Sequence, residues 1–244
     1  DLRMSRGLGD VYKRQLINNA NFESYIKVVK VDAETGKTIP YAGAGFQIYD
    51  PAGNKVSMTF TYPTPTTINT FYTDADGQLV TPEKLEYGKG YSLVEVQAPY
   101  GYVLDSTPVS FDVTEENSTQ EGGITLIKVD KPNMAQKGTI SVEKTGEVFF
   151  GVNVSGEEDE DVIYQPVYKV KGLAGAVYEI TADEDVITPD GTLRYHKGDV
   201  VDTVTTDEDG TAKSKELYLG KYTVVEIKAP NGMAVSYTHL TLPT

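Results

Sequence analysis

The 244-residue chain has no cysteine and no tryptophan, and only two histidines and four methionines. Without thiols it can form neither disulfides nor thiolate metal sites, so any device that stabilises it outside a reducing compartment must be a different one. His196 stands alone in "RYHKGD", and no Ser-His-Asp set or metal-ligand cluster can be assembled. Turnover catalysis is therefore not expected, and no cofactor is called for. No apolar run approaches the roughly 18 residues of a membrane span, and the N-terminal stretch lacks the apolar segment of a signal peptide. Basic residues are in deficit, 22 against 36 acidic, for a net charge of −14. That balance argues against nucleic acid and anionic membranes as partners.

What is present favours strands. The chain carries 17 tyrosines and 23 glycines with many Val and Thr, and has few stretches of helical period, a mix that reads as β-structure broken by turns. Both ends look foreign to the rest. "DVYKRQ" from Asp10 and "VSYTHLTLPT" from Val235 are encoded by strings that begin as reverse complements and resemble the transposon end of sequencing-library adapters. Residues 1–15 and 235–244 are accordingly read as adapter-like scars and left out of the fold reasoning. The remainder is taken as an internal fragment whose signal peptide and anchor would lie elsewhere.

Repetition organises that remainder. "IKVVKVD" from Ile26 matches "ISVEKTG" from Ile140, and "AGAGFQI" from Ala42 matches "AGAVYEI" from Ala174. "TDADG" from Thr73 matches "TDEDG" from Thr206, and "YSLVEVQAP" from Tyr91 matches "YTVVEIKAP" from Tyr222. Four blocks in one order imply two homologous all-β domains, residues 16–133 and 134–234, each a β-sandwich of short strands, with "KPNMAQKG" from Lys131 as the linker. The second copy holds an insertion, "EVFFGVNVSGEEDEDVIYQPVYKVKG", whose acidic run Glu157 to Asp161 reads as a solvated loop. "DADG" and "DEDG" resemble the start of a calcium loop but lack its downstream glutamate, so they read as tight turns.

Strand alternation places two chemical groups where they are costly. In I-x-V-x-K the lysine shares a face with the apolar pair, so Lys30 and Lys144 face the core. In "YSLVE" the face of Tyr91 and Leu93 also carries Glu95, and Glu226 is its equivalent. A buried ion pair is one outcome. Reaction is another, because burial lowers a lysine's pKa and raises a glutamate's. A third carboxyl or carboxamide nearby could then be attacked by the amine to give an amide cross-link, with proximity supplying the effective molarity. "ITLIKVDKP" from Ile124 offers a last strand ending at Asp130.

These blocks, K-x-D after an apolar pair, E-x-x-A-P-x-G-Y and a last strand ending V-[N/D]-K-P, resemble the Cna protein B-type (SpaA-like, prealbumin-like) pilin domain over nearly all of residues 24–234. The resemblance implies an isopeptide bond with Lys30 as nucleophile, Glu95 as acid/base and Asp130 as acceptor, with water leaving. Lys27, on the opposite face, is the second choice of nucleophile. In the second domain Lys144 and Glu226 match, Met233 stands for the usual Tyr, and the chain ends before an acceptor strand. The implied role is a stalk module of a pilin or adhesin on a Gram-positive-type cell wall, its partners neighbouring domains or subunits. The alternative is an adhesin that binds host matrix or glycan through "TFTYPTPTTINTFY" from Thr59 or through the acidic insertion. A third is an accessory repeat of a secreted enzyme.

Overall fold

The structure, a computed structural model, describes residues 21–156 and 162–235 together with the backbone of Leu240 and Thr241. The adapter-like stretch 1–15 and the acidic run Glu157 to Asp161 lie outside the described residues. Among the described residues, twenty-three strands and no helix make up the regular structure.

The first domain runs β1 (Glu23–Asp32), β2 (Gly45–Tyr49), β3 (Met58–Phe60), β4 (Thr66–Ile68), β5 (Phe71–Tyr72) and β6 (Gln78–Val80). It continues β7 (Leu85–Glu86), β8 (Gly88–Gln97), β9 (Val109–Val113), β10 (Ser118–Glu121) and β11 (Ile124–Asn133). One sheet has the order β10-β11-β1-β6, with β7 also on β1, and the other the order β5-β2-β8-β9. β1 and β11 are parallel, so the first and last strands of the domain lie side by side. Inward positions of both sheets (Ile26, Val28, Phe46, Ile48, Leu93, Ile127 and Val129 among them) close over one core, the sheet-on-sheet arrangement that alternation dictates.

The second domain repeats this plan with β12 (Lys137–Gly138), β13 (Ser141–Glu143), β14 (Thr145–Ser155), β15 (Ile163–Gly172), β16 (Val177–Ala182) and β17 (Val186–Ile187). There follow β18 (Leu193–Tyr195), β19 (Val200–Thr205), β20 (Thr211–Lys213), β21 (Leu217–Tyr218), β22 (Tyr222–Lys228) and β23 (Leu240–Thr241). β12 pairs β21 and β13 pairs β20, as β1 pairs β7 and β6. The other sheet is β19-β16-β22-β23, over a core that includes Ile180, Val201, Val204 and Val224. Leu240 and Thr241, in the stretch set aside from the sequence, pair with Val224 and Thr223. On either side of the acidic run the insertion forms the antiparallel ribbon β14–β15.

The expected linker is mostly strand. β11 runs to Asn133 and β12 starts at Lys137, and the residues between are tied to the first domain. Val103 N–H donates to Met134 O at 2.9 Å and Gln136 N–H to Gly101 O at 2.8 Å. The domains then meet through a polar cluster. Arg194 reaches Asp32 at 3.2 Å and Glu34 at 2.9 Å, with its guanidinium over the Tyr218 ring. Glu34 also takes Lys137 at 2.6 Å and the Tyr218 hydroxyl at 2.5 Å, and these two bonds, Lys137 foremost, hold its carboxyl below the usual range. Asp32, fully buried, accepts the Tyr102 hydroxyl at 2.9 Å.

A charge pair this enclosed is costly to break from one side. A double-mutant cycle of Arg194→Ala with Asp32→Ala, read by calorimetry, is expected to show a coupling of about 1–3 kcal/mol. Additive effects would reduce the cluster to incidental contact. A neighbouring contact is pH-sensitive. Burial raises the Asp190 pKa, but hydroxyls of Thr188, Thr192 and, from the first domain, Thr35 outweigh it and hold the group at about 2 instead of 3.8. A depressed carboxylate stabilises the fold above its unfolded value and loses that contribution as pH falls through the folded one. Wild type should therefore lose stability relative to Asp190→Asn between about pH 4 and about pH 2; a constant gap between the two melting curves refutes this.

Candidate functional site: a buried lysine, glutamate and asparagine

Alternation along β1 turns Ser24, Ile26, Val28, Lys30 and Asp32 inward. On β8 it turns Tyr91, Leu93 and Glu95 inward, and Glu95 lies opposite Phe46 beside a bulge at Val96 of β8. Lys30 and Glu95 are both without solvent exposure. Their charged atoms lie 2.9 Å apart, Nζ to Oε1, an ion-pair distance without hydrogen-bond angles. The third member comes from β11. Asn133 is buried, its Oδ1 accepts from Lys30 Nζ, and its Nδ2 donates to Glu95 Oε2 at 2.6 Å and to Val103 O at 2.8 Å. Asp105 N–H completes the Glu95 carboxylate at 3.1 Å.

The surroundings are apolar, with the Phe46 ring 5.8 Å from Lys30 Nζ. Burial is the main influence on Lys30 and pushes its pKa down, against the opposing pull of Glu95. A second buried lysine, Lys131, helps to enclose the site and donates to Asp105 at 2.8 Å and to Thr107 O at 2.9 Å. That bond is the chief reason the Asp105 carboxyl lies well below the usual range.

Asp130, the acceptor expected from sequence, is not in this cluster. It is exposed and pairs with Lys128 at 3.0 Å on the outer face of β11. Parity is the reason: Ile127, Val129, Lys131 and Asn133 form the inward row, so Lys128 and Asp130 both point out. The strand, expected to end at Asp130, runs on through Pro132 to Asn133, because β10 pairs only as far as Ile127 and leaves the outer edge of β11 with no ladder bond for a proline to remove. The signal that would have found Asn133 was the continuing alternation itself. Lys27, the second-choice nucleophile, faces outward and pairs with Glu121 at 2.5 Å.

In the second domain Lys144 and Glu226 come together in the same way. Nζ lies 3.0 Å from Oε1 and 3.1 Å from Oε2, with Glu226 buried and Lys144 slightly exposed. Glu226 lies opposite Tyr178, next to a bulge, as Glu95 lies opposite Phe46. Among the described residues no strand lies beside β13 in the position that β11 takes beside β1.

The profile of the SpaA prealbumin-like fold domain matches residues 24–125 and 167–242, most of the chain. The chain belongs to this family. No curated protein sequence matches it closely enough to count as a relative. Solved structures similar to it include the Bacillus anthracis TIE protein, at 22% identity and a TM-score of 0.49, over 91% of this chain. The chain spans only 31% of that protein. BcpA, the major pilin subunit of Bacillus cereus, is 17% identical with a TM-score of 0.36, covering 90% of this chain and 94% of that one. Two domains of the major pilin SpaD of Corynebacterium diphtheriae match 47% of this chain and 48% of that one, at 20% identity and a TM-score of 0.36.

In both SpaA domains the Asp-Gly turn, set aside above as a calcium site, supports the lysine. Gly77 O accepts Lys30 N–H at 2.9 Å, and Gly210 O accepts Lys144 N–H at 2.8 Å. Asp74 and Asp207 direct their carboxylates to backbone N–H groups of their own turns, closing them as Asx turns. The repeated "TDxDG" is therefore the clamp that holds the backbone of the SpaA lysine in place.

Proposed function

We propose that the chain is a structural stalk module of a surface pilin or adhesin, stabilised by an autocatalytic isopeptide bond between Lys30 and Asn133. The observation that carries this reading is the joint burial of Lys30, Glu95 and Asn133 with each in contact with the other two. Glu95 takes a proton from Nζ through Oε1, and burial favours that neutral amine. The amine attacks Cγ of Asn133; the Nζ–Cγ bond forms as Cγ–Nδ2 breaks. Through Oε2, Glu95 passes that proton to the departing nitrogen, which leaves as ammonia, and then takes a second proton from Nζ, so that one Nζ hydrogen stays on the new amide and Glu95 ends protonated. Asn133 in place of Asp130 thus changes the leaving group from water to ammonia. The reaction occurs once per molecule, so the site is not that of an enzyme with turnover.

Family membership supports an extracellular, cell-wall setting, and an amide cross-link suits a chain without cysteine because it is indifferent to redox state. No helix among the described residues is long and apolar enough to cross a membrane. The segment "TFTYPTPTTINTFY", on which a ligand-binding reading rests, is the β3–β4 hairpin and its flanks, with Phe60 and Tyr62 open to solvent. It gathers no buried polar groups comparable with the lysine site. Peptide mapping tests the proposal: a digest of the folded protein should contain one branched peptide joining the Lys30 and Asn133 segments. Recovery of the two as separate linear peptides overturns it.

A further inference from the structure

The ribbon β14–β15 has no counterpart in the first domain, where β1 passes to β2 through a short connection. Directly paired residues of an antiparallel ladder share a face. The pairs Glu147–Val170, Phe149–Tyr168, Val152–Pro166 and Val154–Tyr164 therefore form one face, with the extra residue Phe150 in a bulge. The opposite face is mixed: Val148, Val167 and Ile163 alternate there with Asn153, Gln165, Lys169 and Lys171. Seven of the eight side chains on the first face are apolar, and six of them, Phe149, Val152, Val154, Tyr164, Tyr168 and Val170, are 46–68% exposed. Both faces of the ribbon are open to solvent, and the first is the more continuously apolar.

Three aromatic and three valine side chains at that exposure amount to roughly 500–600 Å² of apolar surface, at the upper end for the largest patch of a monomer. It is about two thirds of the ~800 Å² that each partner contributes to an interface of standard size. A two-stranded ribbon is also marginal without a further layer. The face carries one charge, Glu147, at the end nearest the domain. A partner recognised by charge is therefore not selected here, whereas a second flat, uncharged β-surface of the same width is. The protein itself supplies one.

We propose that two copies of this chain associate through the β14–β15 face, packed sheet on sheet about a two-fold axis with the ribbons antiparallel. A parallel arrangement would bring the two Glu147 carboxylates together. The antiparallel one separates them by roughly 20 Å, beyond the screening length at physiological salt. Such a contact is isologous, so it closes as a dimer and joins two stalks side by side.

Sedimentation equilibrium of the full chain tests this, with cysteine placed on either face of a protein that has none. Wild type should be a concentration-dependent dimer. Val152→Lys should weaken it more than about tenfold, as loss of a central apolar contact does. At concentrations low enough for both to be monomers, its melting curve should match wild type, because the ribbon lies outside both cores. Val152→Cys should be joined to itself by a short bis-maleimide, and Asn153→Cys, on the other face, should not. A wild type that stays monomeric at all concentrations overturns the proposal and leaves the face to a partner of different sequence. Equal cross-linking at both positions, or a Val152→Lys dimer as tight as wild type, overturns it as well.

Discussion

Asn133→Ala is expected to leave the protein at its full sequence mass, whereas folded wild type should weigh less by one ammonia. Asp130→Ala should behave as wild type and also lose ammonia, because Asp130 faces solvent on the far side of β11. This pair of substitutions separates the two candidate acceptors without disturbing the Lys30–Glu95 ion pair. Glu95→Ala should abolish the mass loss by removing the group that touches both Nζ and Nδ2. Thermal unfolding should follow. Closing a loop of about 100 residues is worth about 4–5 kcal/mol in the chain-entropy account of cross-links. At this domain size the uncross-linked variant should melt roughly 20–30 °C lower. Full mass in a folded wild type, or a mass loss that survives Asn133→Ala, removes the reaction as formulated.

Gly77→Ala should be the most damaging single substitution outside the buried triad. Gly77 sits at φ +72°, and a Cβ built there would lie 1.8 Å from the carbonyl oxygen of Ile39. Both obstacles are backbone, so neither yields to a rotamer change. Ile39 N–H donates to Lys30 O while Lys30 N–H donates to Gly77 O, each at 2.9 Å. The substitution therefore pushes apart the two segments that grip the lysine. A loss of about 3–5 kcal/mol is expected, with cross-linking slowed or absent. Gly36→Ala is the control. Its φ is +71° but nothing lies within 4 Å of the added carbon, so only the conformational cost of about 1 kcal/mol applies. If the two variants melt together, the close approach at Gly77 is without consequence.

The pattern of four repeated blocks made the two β-sandwich domains and the inward lysines and glutamates legible in the sequence, because strand parity alone decides which side chains meet. The acceptor was misplaced because the last strand was ended at Asp130, whereas it continues through Pro132 to Asn133 at a free edge. Asp-Gly turns were recognised as turns, but their grip on the lysine depends on which strand they fold against, and nothing local to "TDADG" encodes that. No strands were read in the insertion beside its acidic run, although Tyr164, Pro166, Tyr168 and Val170 already alternate. Arg194 could not be found at all. Its partners Asp32 and Glu34 lie some 160 residues away in sequence, and only the docking of the two domains brings them together.

The side-by-side, same-direction pairing of β1 and β11 has a mechanical consequence. The chain enters the first domain at the start of β1 and leaves it just after Asn133. A pull applied along a fibre would travel down β1 to Lys30, cross the amide and exit almost at once. The intervening residues, about 100 of them and roughly 350 Å when drawn out, would carry no force. The domain would behave as an inextensible link of nine or ten residues, and the rest of its sandwich would be cargo held off the line of strain.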